Sequence, residues 1–280
     1  MDYSQFLALK QEIGLFIVFL LVFLYDTFAS RKAQGALPVI ACVLMGIVTL
    51  WGFCPECKAD VTAFSGMYAS SATIAAIKNI LNVGALIVLI QSVKWANSEF
   101  VAVRRGEFYE LILLTLLGMY FMISSRHFLM FIIGLETASL PLCALVAFDK
   151  NRYESHEAAI KYVLTAVFSS AILLMGLSFV YGLTGTLYYD MMALTMRSNL
   201  GVMLVVGLAF VMAGFGFKLS LVPFHLWTAD VYQGAPTSVT SYLSVISKGS
   251  AAFAFLVVLT QVFGTVYSQA WEWMLYALII

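Results

Sequence analysis

Six ionisable residues stand inside long apolar runs of the sequence: Lys78, Glu136, Lys161, Lys218, His225 and Lys248. A charge near the middle of a bilayer costs at least about 2.5–3.5 kcal/mol on insertion scales, so each needs a function or a partner. One carboxylate, four amines and an imidazole share the chemistry of holding and passing protons. Lys218 and Lys248 are isolated in their segments and too far from the ends to snorkel, which makes them the strongest candidates. Glu136 lies about eight residues into its run, roughly 12 Å along a helix axis, and reads as a proton acceptor or as one half of a packing pair. His225 carries an imidazole with an ordinary pKa near 6.5, which suits a relay as well as a structural role. Lys161 follows Glu157 by four residues, the spacing of a helix ion pair. Lys78 stands beside Asn79 and Asn82 and reads as structural, lining a helix interface with those amides.

The elements that must position these groups are transmembrane helices. Hydrophobic residues make up 62% of the chain and charged residues 11%, against roughly 45–50% and 25% in soluble domains. Apolar runs predict eight spans, at 13–29, 36–53, 72–93, 108–124, 128–148, 158–182, 200–227 and 240–263, each near the length that crosses a hydrocarbon core. A further run from Ala270 reaches Ile280, so the sequence reads as stopping inside a ninth helix. The seventh span carries Gly207, Gly214 and Gly216, then Lys218, Pro223 and His225. Proline removes a backbone hydrogen bond and obstructs the preceding turn, so the helix is expected to break between Lys218 and His225. Irregular backbone at membrane depth survives only inside protein or beside a wet cavity, which points to an ion path.

The remaining features narrow the function class. Fifteen basic and fifteen acidic residues cancel, so charge indicates no nucleic-acid partner. The opening Met-Asp-Tyr-Ser-Gln lacks a basic n-region, so the first run reads as a retained helix and not a signal peptide. Cys54 and Cys57 are two ligands where a structural metal site takes four, and read as a plain loop pair. No nucleotide-binding or haem motif is found, so cofactor chemistry is assigned to partner chains. Lys10, Lys58, Arg126 and Arg197 fall on the side of the amino terminus, and Arg31, Lys32, Lys94, Arg104, Arg105, Lys150 and Arg152 on the other. The positive-inside rule places the second set in the cytoplasm and the amino terminus outside.

Four stretches carry a resemblance: Gly134-Leu-Glu-Thr-Ala-Ser-Leu-Pro-Leu142, Glu157-Ala-Ala-Ile-Lys-Tyr162, Phe217-Lys-Leu-Ser-Leu-Val-Pro-Phe-His-Leu-Trp227, and Asp230-Val-Tyr-Gln-Gly-Ala-Pro-Thr-Ser-Val-Thr240 followed by Ser247-Lys-Gly249. Together they resemble the subunit N branch of the antiporter-like membrane subunits of bacterial NADH-quinone oxidoreductase, respiratory complex I. The likeness runs from about residue 105 to 262, and the first three spans match in hydropathy only. It implies an all-α, antiporter-like transmembrane bundle with a broken seventh helix. Residues 1–104 would be amino-terminal helices, 105–263 the first of two inverted five-helix repeats, and 264–280 the start of a ninth helix. By the same likeness Glu136 pairs with Lys218, His225 and neighbouring waters carry the proton onward, Lys248 leads to a central axis, and Lys161 is a further family lysine. A carboxylate that moves relative to a buried lysine switches it between holding and releasing a proton. NADH, FMN, iron–sulfur clusters and quinone would belong to other membrane and peripheral subunits of complex I, in the bacterial inner membrane. A cation/proton antiporter subunit, a membrane-bound hydrogenase subunit and a truncated, non-pumping scaffold remain alternatives.

Overall fold

The computed structural model describes residues 3–30, 33–54, 60–98, 101–197, 201–264 and 268–279. Eight helices in it are long and apolar enough to cross a membrane. The first three are α1 (Lys10–Phe28), α2 (Leu37–Trp51) and α3 (Ala72–Ala96), followed by α4 (Arg105–Ile123), α5 (Phe128–Val146) and α6 (Tyr153–Thr184). The seventh is α8 (Val202–Leu219), and the eighth is the composite span Thr237–Phe263. A final helix, α12, covers Ser268–Ile279. Apolar side chains left exposed on α1, such as Phe16, Leu20, Phe23 and Leu24, suit a lipid-facing surface.

The connections hold more structure than short apolar-run spacing predicts. Between α2 and α3 runs an antiparallel hairpin of β1 (Val61–Ala63) and β2 (Tyr68–Ser70), with Val61 opposite Ser70. Its turn takes Phe64, Ser65 and Gly66 through positive φ. Ala69 N–H then bonds Ser124 O at 2.9 Å and Arg126 N–H bonds Met67 O at 2.8 Å, while Phe128 N–H reaches Leu187 O at 3.0 Å. Three interhelical loops are thereby knitted together on the face that holds the start of α1. A short helix, α7 (Tyr189–Met196), lies between α6 and α8.

Small residues let the helices that carry the site approach closely. A β-carbon on Gly176 of α6 would lie 2.8 Å from the carbonyl oxygen of Gly207 on α8, so neither position has room for a side chain. Ser169 of α6 adds a hydrogen bond to Gly214 O at 3.0 Å. The eighth span is not a uniform helix: α10 (Thr237–Ser241) passes into a π-helical turn at Tyr242–Ser247, then α11 (Lys248–Val258), then a second π-helical turn at Leu259–Phe263. Such turns rotate the residues beyond them to a new facing, and the first one ends immediately before Lys248.

Candidate functional site, a lysine cluster at the broken helix

The break falls where glycine and proline place it. Helix α8 ends at Leu219, and Ser220 turns left-handed at φ 60°. Ser220 N–H bonds Phe217 O at 3.2 Å and Leu221 N–H bonds Gly216 O at 2.8 Å, which satisfies carbonyls the interrupted helix leaves over. Trp227 Nε1–H donates to the same Phe217 O at 3.2 Å, and Thr228 Oγ1 donates to Ser220 Oγ at 2.7 Å. The chain resumes as α9 (Leu226–Gly234). Irregular backbone at this depth is therefore paired from within.

Lys218 occupies the last turn of α8, and its Nζ donates to Ser139 Oγ on α5. Ser139 in turn donates to Leu135 O at 2.5 Å. Glu136 lies three residues before Ser139 on the same helix face, and it is half-buried. Among the described residues no ion pair joins Glu136 to Lys218; the contact of Lys218 with α5 is through the serine hydroxyl.

Lys218 and Lys248 line one cavity of about 20 Å³, together with Tyr162, Thr165, Ser169 and Ser247. That volume holds about one water molecule, and the hydroxyls around it supply partners for one. Lys248 Nζ also lies 5.1 Å from the ring centroid of Tyr232 on α9, a cation–π distance. Lys161 on α6 contacts Glu157 Oε1 at 2.6 Å, as its spacing predicts, and also Asp230 Oδ2 on α9 at 2.5 Å. With the Tyr162 and Trp227 rings 5.4 Å apart, these contacts hold α9 against α6. His225 stands at the amino-terminal cap of α9, is exposed, and does not line the cavity.

Sequence reasoning missed Ser139, Asp230 and Tyr232 as partners. The spacing from Glu136 to Ser139 was a usable sign for the first; no local pattern links Asp230 to Lys161. Sequence reasoning placed Lys78 at a helix interface and named no ion-pair partner for it. Its Nζ contacts Glu12 Oε1 of α1 at 2.5 Å, and the two side chains are 1% and 3% exposed. The two residues are sixty-six positions apart, so no spacing rule connects them. Cys54 is exposed and unbridged, and Cys57 lies outside the described residues, as do Arg31, Lys32 and Lys58.

Comparison with known proteins agrees with this architecture. The family described as NADH:quinone oxidoreductase/Mrp antiporter, TM, matches residues 125–280. NADH-quinone oxidoreductase subunit N of Azobacteroides pseudotrichonymphae is 50% identical over all of this chain, and that of Phocaeicola vulgatus is 46% identical over all of it. The chain spans 58% of the length of each of these relatives. A chain of respiratory complex I from Thermus thermophilus with bound aureothin superposes with a TM-score of 0.72 at 29% identity, covering 88% of this chain and 52% of that one. With a broken helix, two cavity-lining lysines and a family match over more than half its length, the chain belongs to the NADH:quinone oxidoreductase/Mrp antiporter transmembrane family.

Proposed function

We propose that this chain is the proton-translocating membrane subunit of an NADH-quinone oxidoreductase in the bacterial inner membrane. Electron transfer from NADH to quinone, with FMN and iron–sulfur clusters, takes place in the other complex I subunits that surround it. This chain supplies protonatable side chains and the path between them. The observation that carries the reading is the shared cavity of Lys218 and Lys248, which brings amines from two different spans within reach of the same bridging hydroxyls or water.

On this reading Lys218 holds the proton at the helix break, where Ser139 accepts a hydrogen bond from its ammonium. Glu136, one turn away, sets the charge that the ammonium experiences. The exposed imidazole of His225 and neighbouring waters carry the proton onward, and Lys248, on the same cavity as Lys218, leads it toward a central axis. Lys161, held between Glu157 and Asp230, fixes α9 and with it the Tyr232 ring beside Lys248. The oxidoreductase reading is favoured over the antiporter one by the two relatives matched over the whole chain.

The test uses the complete subunit in its assembled complex. Lys218→Ala and Lys248→Ala are each expected to lower NADH-driven proton uptake by inverted vesicles several-fold per assembled complex. Normal NADH-driven uptake in both variants would refute the relay, and sodium-dependent uptake without NADH would assign the chain to cation exchange.

A further inference from the structure

The family match begins at residue 125, but among the described residues the most deeply buried charge pair lies ahead of it. Glu12 and Lys78 meet under the β1–β2 hairpin. Tyr68 of β2 donates to the Glu12 carboxylate, at 3.1 Å from Oε1 and 3.0 Å from Oε2, and Ser124 at the end of α4 donates to Oε1 at 3.4 Å. The aromatic rings of Tyr68 and Tyr120 lie 5.4 and 5.3 Å from Lys78 Nζ. One turn beyond Lys78, Asn82 accepts a hydrogen bond from Tyr120. The hairpin itself is anchored to the chain start, where Phe64 N–H bonds Gln5 Oε1 at 3.0 Å.

Two buried polar groups stand next in sequence to the members of this pair. Gln11 Nε2 and Asn79 Oδ1, each adjacent in sequence to one member, are buried with no hydrogen-bond partner among the described residues. A buried amide donor and a buried acceptor left open are groups that ordered water satisfies. Helix α3 also abuts the span that carries Lys248: a β-carbon on Gly84 would meet Ile246, and one on Gly249 would meet Leu81. A pure ion pair is a weak source of stability in such a place, since desolvation offsets most of its attraction.

We propose that Glu12 and Lys78 form a second proton-holding couple, covered on the amino-terminal face by Tyr68. A proton that moves from Lys78 Nζ to Glu12 Oε1 converts the ion pair into a neutral amine and a neutral carboxylic acid. When the acid then gives its proton to water, the carboxylate and neutral amine remain, and a proton taken up by the amine restores the pair. Burial, and after it the Glu12 carboxylate, hold the Tyr68 phenol above its ordinary value, so Tyr68 remains a donor throughout. The couple would work alongside the Lys218–Lys248 cavity, and in that respect it rests on the reading given above.

The experiment compares Glu12→Gln/Lys78→Met, Lys78→Arg and Lys218→Ala in the complete subunit of the assembled complex. Removing both charges with near-isosteric groups leaves a structural pair's fold intact. The proposal therefore expects the double variant to assemble and oxidise NADH while proton uptake per NADH falls several-fold. It also expects Lys78→Arg to lose pumping, because guanidinium does not release its proton. NADH-triggered infrared difference spectra should contain a carboxylic-acid band that the double variant lacks. Wild-type uptake in the double variant overturns the proposal; if that variant does not assemble, wild-type uptake in Lys78→Arg overturns it instead. Normal uptake in Lys218→Ala alongside loss in the Glu12 and Lys78 variants would sink the cavity relay and leave this couple standing.

Discussion

Lys218 and Lys248 line the same small cavity from two spans whose helices are both interrupted beside them. Lys218 is the penultimate residue before the α8 break, and Lys248 follows a π-helical turn directly. Each interruption frees backbone that a continuous helix would consume. Placing a titratable amine at such a point allows its surroundings to change without unfolding a whole span.

Ser139 is the immediate partner of Lys218, and its removal should be felt in pumping. A hydrogen bond to a charged group contributes about 1.5–3 kcal/mol. Ser139→Ala is expected to lower NADH-driven proton uptake at least several-fold with unchanged complex assembly, whereas Ser139→Thr retains a hydroxyl and most activity. Vesicle uptake assays normalised to immunodetected complex distinguish the two, and full uptake by Ser139→Ala would remove the serine from the path.

Lys161 and Asp230 should behave as one unit. If their contact positions α9, then Lys161→Met, Asp230→Asn and the double variant lower proton uptake by similar factors, because the second change removes nothing further. A Lys161 loss far greater than the Asp230 loss would mean that the lysine carries protons itself. The two side chains are 39% and 52% exposed, so little change in stability is expected from either substitution.

His127 caps α5 with its imidazole, Nδ1 accepting from Leu129 N–H at 3.1 Å. Burial holds this imidazole below its ordinary value of 6.5. The unfolded segment therefore takes up a proton first as pH falls: the cap is at full strength above 6.5, weakens as pH drops below it, and reaches its floor once pH passes the folded value. Hydrogen exchange in the first turn of α5, corrected for intrinsic rates, should rise over that window as the cap is lost. His127→Asn keeps a capping group that does not titrate and should abolish the dependence; an unchanged pH profile in that variant would contradict the assignment.

Orientation is testable through Cys54, which is exposed near the carboxyl end of α2 on the face that holds the start of α1. The loop charges predict that an impermeant thiol reagent labels it in intact, reduced cells. Labelling only after the cytoplasmic side is opened would reverse the orientation.

The spans were legible because apolar blocks of membrane length have no soluble explanation, and the break was legible because Pro223 and the glycines before Lys218 act locally. Boundaries were less so: α6 begins at Tyr153, five residues before its apolar run, since Glu154, Ser155, His156 and Glu157 are helical but polar. The hairpin was hidden because Phe64 and Ser65 adopt positive φ without being glycine. Glu12 escaped notice because it sits near the start of α1, where a carboxylate looks like an ordinary helix-end residue. Only the tertiary fold reveals that α3 brings Lys78 over it and that Tyr68 closes the top. For the candidate site, chemistry and membrane depth singled out the lysines, while the hydroxyls and rings that surround them required the folded arrangement.

The most direct measurement is NADH-driven proton uptake by inverted vesicles carrying Lys218→Arg, normalised to assembled complex. Guanidinium keeps the positive charge and can still donate to Ser139, but it does not release a proton at any working pH. A proton-carrying Lys218 predicts that this variant assembles normally and pumps as poorly as Lys218→Ala. Full pumping by Lys218→Arg would show that only the charge is needed, and would contradict the relay.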